Sequence, residues 1–144
     1  MLFSSPVFAL QSACVVQSEQ VSGTTNGLLT VIPGLEMPAP DFTPSFLTVS
    51  GDLAIFSLKR GKRSLGVNVV TVAYDAEGDP TDIGHSFIDF PLVRFNDIPQ
   101  FALSISRGII TPKANAYAVL WDLNAAGEVG IVHIRNAQFC LYGD

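Results

Sequence analysis

Five positions, Lys59-Arg60-Gly61-Lys62-Arg63, hold four of the chain's eight basic side chains. The rest of the chain carries four positive and thirteen negative side chains. Such a cluster can receive a phosphate, an acidic protein surface or an anionic lipid headgroup. On a solvated turn it would only keep strand edges apart. Adjacent charges in a turn contribute little to stability, so the run is free to serve recognition. The expected binding site is therefore Lys59, Arg60, Lys62 and Arg63, docking an acidic partner. A net charge of −5 and a pI near 4.8 argue against general nucleic-acid binding, which needs a basic face rather than one basic tip.

Other residues suggest chemistry less directly. Asp75, Glu77, Asp79 and Asp82 fall within eight positions and offer oxygen ligands of the kind calcium takes. Their spacing does not match a twelve-residue EF-hand loop, so an ordinary solvated turn is the expectation. His85 and Asp89 share a strand face with Phe87 between them, and His133 and Arg135 share another. Zinc needs three or four ligands, and no His or Cys pair has finger-like spacing, so no metal site is expected. There is no G-x-S-x-G, no P-loop and no G-x-G-x-x-G. Nothing singles out a carboxylate pair among nine Asp and four Glu. The chain is read as non-enzymatic, with no cofactor. Cys14 and Cys140 lie near opposite ends, and two buried thiols are expected in preference to a disulfide closing a very long loop.

These residues need elements to hold them. Gly and Pro punctuate the chain about every ten residues. Between them lie short stretches rich in Val, Ile, Leu, Phe and Thr, and no long stretch keeps a helical period. Strands are predicted over 13–21, 28–32, 46–58, 65–74, 87–93, 101–106, 117–123 and 129–135. Gly51 marks a bulge or bend. Strands 46–58 and 65–74 are read as a hairpin with the basic run at its tip. The second of these is apolar on both faces, which marks a central strand. Positions 33–44 hold four prolines and read as a connection crossing between sheets. Tyr117 and Trp121 read as core aromatics rather than a sugar-stacking platform. The fold class is all-β: a single two-sheet β-sandwich, immunoglobulin-like or jelly-roll, of eight to nine strands with little helix.

At 144 residues the chain is one domain with room for a two-layer core. Positions 1–12 read as an N-terminal arm or edge segment and 13–144 as the sandwich. The start lacks a basic region and is interrupted by Pro6, unlike a secretory signal. No apolar run is long enough for a transmembrane helix. Charged residues make up 15% of the chain, against about 25% ordinarily. Mean hydropathy is +0.37. A surface so poor in charge is suited to burial against partners.

The order of pieces resembles an uncharacterised bacterial family of small β-sandwich proteins. An early strand carries a Cys (Ala13-Cys14-Val15-Val16), and Asn26-Gly27 leads into a second strand. The Pro-punctuated segment Glu36 to Phe42 follows, and a later strand ends in Asp75-x-x-Gly78. The resemblance spans about Ala13 to Ile134. Twelve residues precede the first strand and no acid follows Cys14, which departs from the family pattern. It implies a sandwich with a non-enzymatic role and carries over no site residue.

The function expected is a non-catalytic interaction or assembly module acting through protein–protein contacts, with a protein partner or self-assembly. The alternative is a structural subunit of a phage or virus particle: capsid, decoration or tail. A carbohydrate- or calcium-binding module comes third. The expected location is cytoplasmic, or the virion under the alternative.

Overall fold

Alternation of apolar and polar residues at period two turns into nine strands in the computed structural model, which describes residues 10–24, 29–57, 64–91, 100–110, 114–124 and 130–144. They are β1 (Gln11–Gln17), β2 (Val21–Thr24), β3 (Thr30–Pro38), β4 (Pro44–Ser57), β5 (Ser64–Tyr74), β6 (Pro80–Pro91), β7 (Gln100–Gly108), β8 (Ala116–Asn124) and β9 (Gly130–Gly143). Among the described residues there is no helix.

Two antiparallel sheets form the sandwich. One has the order β1-β9-β4-β7, with β2 also pairing β9; the other has the order β3-β8-β5-β6. The pairing is nested. The first strands, β1 and β2, pair the last, β9; β3 pairs β8; β4 pairs β7; β5 pairs β6. The core lies between the sheets, around Leu47, Val49, Leu53, Val67, Tyr117, Val119, Trp121, Ile134, Phe139 and Leu141. Tyr117 and Trp121 are core residues, as expected.

Three sequence expectations need correction. First, Lys59, Arg60, Lys62 and Arg63 do not join a hairpin. β4 and β5 belong to different sheets, so the run falls on a cross-sheet connection, and its residues lie outside those described. Turn-forming residues announce a reversal of the chain but not whether the next strand pairs the previous one or packs over it. Second, part of the Pro-rich stretch is strand. Pro33 and Pro38 sit in β3, an edge strand where a missing N–H is tolerated. A register shift between Val31 and Glu36 re-phases it, so Ile32, Leu35 and Met37 all reach the core. Gly34 there has φ +86°, and its lack of a Cβ makes room for the Gln17 side chain, whose Nε2 donates to Pro33 O at 2.8 Å. Third, the irregularity opposite Gly51 belongs to β9. Ser50 pairs Gln138 and Asp52 pairs Arg135, so β9 holds the extra residue. Asn136 takes φ 53°, and its Nδ2 donates to Asp52.

Cys14 and Cys140 face one another across β1 and β9 and form a disulfide, not the free thiols expected. The nested pairing sets the first strand beside the last, which sequence separation hides.

Candidate functional site

The two layers leave two open sides. One runs between edge strands β7 and β6, the other between β1 and β3.

The β7–β6 side is closed by a buried ion pair. Arg107 follows Leu103 and Ile105 on the core-facing side of β7 and reaches across to the other sheet. Its Nη1 donates to Asp82 Oδ1 at 2.9 Å and to Gly108 O at 3.0 Å; Nε donates to Thr71 Oγ1 at 2.6 Å and Nη2 to Thr71 O at 3.2 Å. The other Asp82 oxygen accepts Ile110 N–H at 2.8 Å. The Asp82 side chain is 2% exposed and that of Arg107 20%. Gly84 makes this possible, because a Cβ there would collide with the guanidinium. Beside the pair, burial and then the Asp82 charge hold the Tyr117 phenol above its ordinary pKa.

The acidic cluster is therefore divided. Asp75 builds the β5–β6 turn: its Oδ1 accepts Glu77 N–H and Asp79 N–H, and Gly78 N–H donates to Asp75 O. Gly78 closes the turn at φ +82°. Asp82 faces inward to Arg107. Among the described residues no group of three or more His, Cys, Asp and Glu is placed to hold a metal ion.

His133 lies opposite Ser22 on the outer face of the first sheet. Its Nδ1 is 2.6 Å from Ser22 Oγ and 3.2 Å from Gln20 Nε2. On β6, His85 and Phe87 share the outward face; the Asp89 side chain, expected on the same face, lies outside the described residues.

That outward face is apolar. Val70, Val72, Ala118 and Leu120 form a second cluster outside the main core. Ile83 pairs Val72 and is 52% exposed; Phe87 pairs Asn68 and is 67% exposed. In the same row Asn68 opposes Asp122, and one buried side-chain oxygen of each has no hydrogen-bond partner among the described residues. The sequence hinted at this face through the two-sided apolar character of β5. The Asn68–Asp122 pairing carries no sequence signal, because it depends on which strands are neighbours.

On the other open side a shallow groove of about 500 Å³ runs along β1, between Gln11–Val15 and Met37–Phe42. Ala13, Val15 and Phe42 line it as half-buried apolar residues packed on the core.

No family model matches this chain, and no curated protein matches it. Solved structures do. The structure of the infectious bursal disease virus Gt strain aligns with TM-score 0.60 at 11% identity, over 94% of this chain and 32% of that one. The VP2 subviral particle of the same virus aligns with TM-score 0.54 at 9% identity, over 94% and 37%. The T13 viral particle aligns with TM-score 0.53 at 10% identity, over 92% and 35%. The chain spans about a third of the length of these proteins. At such identity the likeness is one of fold, and it agrees with the sandwich expected from the sequence.

Proposed function

We propose that this chain is a non-catalytic sandwich module that works through protein–protein contacts. The outer face of the β3-β8-β5-β6 sheet carries the reading. Phe87 and Ile83 stand more than half exposed beside a buried apolar cluster of Val70, Val72, Ala118 and Leu120. Burying large apolar groups against a partner is favourable by about 25 cal/mol per Å².

The second reading is a structural subunit of a virus or phage particle. The nested pairing favours the jelly-roll type of sandwich over the immunoglobulin-like type, and the fold likeness to virus-particle proteins points the same way. The disulfide also fits a virion surface better than a reducing cytoplasm. In either reading Lys59, Arg60, Lys62 and Arg63 supply a basic contact for an acidic partner surface.

Light scattering on the purified protein tests the proposal. The expected mass exceeds the 15.4 kDa of one chain and falls toward it when Phe87→Ser and Ile83→Ser are combined. A strict monomer at high concentration would overturn it.

A further inference from the structure

An exposed strand edge invites pairing with another chain, and proteins blunt such edges with prolines, bulges, short strands or inward-pointing charges. This fold does so on nearly every edge. β3 carries Pro33, Pro38 and a register shift. β6 begins and ends in proline and points Asp82 inward; β7 points Arg107 inward. β2 is only four residues long. β1 is the exception. Its seven residues, QSACVVQ, hold no charge, proline or glycine, and its ladder with β9 is unbroken from Gln11 to Gln17. Outward from it, Val16 is 63% exposed.

We infer that β1 is a self-association edge, pairing antiparallel with β1 of a second copy across a two-fold axis. This rests on the assembly reading and adds a second contact, on the other sheet from the Phe87–Ile83 face. The Cα atoms of Cys14 and Cys140 are 4.1 Å apart, the close spacing of a non-hydrogen-bonded antiparallel pair. The N–H and C=O groups of Ser12, Cys14 and Val16 therefore point away from β9, toward an incoming strand. A two-fold axis perpendicular to the sheet sets residues of one parity opposite each other. Centred on Cys14 it matches all seven, with Ser12 opposite Val16 and Gln11 opposite Gln17 of the copy. Every inward-facing residue then stays inward, and the small side chains of Ala13 and Val15 of the copy extend over the groove beside Phe42. No like charges meet, because the strand has none. The pairing is isologous, so it closes at two copies. A ladder about 23 Å long at about 3.3 Å per residue buries less than the ~1,200 Å² of a standard interface, so its affinity is modest.

Charge swapping tests the register. Ser12→Lys with Val16→Lys places like charges opposite one another twice, as does Ser12→Glu with Val16→Glu. Both positions are exposed, so melting temperatures should stay close to the parent's. By sedimentation velocity each variant alone should self-associate about tenfold more weakly than the parent, and an equimolar mixture should recover association as a heterodimer. Association of the lysine variant equal to the parent's would overturn the β1 edge while leaving assembly through another face intact. Failure of the mixture to recover would overturn the register. A parent that stays monomeric throughout would overturn both this contact and the assembly reading.

Discussion

Replacing Arg107 by Met isolates the pair that seals one side of the sandwich. The change keeps most of the apolar stem but removes every donor. Asp82 Oδ1 loses its partner, its carboxylate retains only Ile110 N–H, and Thr71 loses two bonds. A buried ion pair broken on one side costs about 3–5 kcal/mol, because a desolvated charge is left behind. Arg107 is one-fifth exposed, so water can enter the vacated space, and the lower end, about 3 kcal/mol, is the expected loss. That is a large share of the roughly 5–15 kcal/mol that holds a domain folded. With a urea m-value of about 2 kcal/mol/M, the unfolding midpoint falls by about 1.5 M. Fluorescence of Trp121, which is buried, reports the transition. Adding Asp82→Leu should restore much of the loss, since an apolar pair of similar volume often replaces a buried ion pair at little cost. A loss below about 1 kcal/mol for Arg107→Met, or additive losses in the double variant, would refute the reasoning.

Three further outcomes are expected. Opening the Cys14–Cys140 bridge, whose ends are 126 positions apart in sequence, should lower stability by about 4–5 kcal/mol in the chain-entropy account, read as a midpoint shift on adding reductant; an unchanged midpoint would contradict it. Tyr117 keeps its proton in the fold above the pH at which the unfolded chain releases it, about 10, so its stabilisation is complete below that pH and is lost as pH rises through the raised folded value. Tyr117→Phe should flatten this part of the alkaline stability curve, and an unchanged slope would count against burial as the cause. Replacing Lys59, Arg60, Lys62 and Arg63 together by Ser should leave the melting temperature within a few degrees and weaken one salt-sensitive contact; partner binding unaltered at low salt would reduce the run to a solvated connection.

Strand content was legible because it is local. Alternation in Phe101 to Ser106 and the two-sided apolar run of β5 each named their element, and the Asp75–Gly78 turn formed as its residues require. Partnership was not legible, because it is set by the winding. Gly-containing punctuation looks alike in a hairpin and in a cross-sheet arch, and among the described strands only β5 and β6 are consecutive strands paired within one sheet. The same ignorance hid the Cys14–Cys140 bridge and the reach of Arg107 from β7 to Asp82, 25 residues apart. It also turned a Pro-rich linker into an edge strand, since a proline's acceptability depends on whether its side of the strand is paired. The unguarded character of β1 emerges only when every other edge has been identified.

Amide hydrogen exchange at Ser12, Cys14 and Val16, followed as protein concentration rises, tests assembly through β1 most directly. These amides point away from β9, so a lone molecule exchanges them quickly. The account expects their protection to grow with concentration, in step with the mass by light scattering. Exchange at these three positions that stays fast while the mass grows would contradict it.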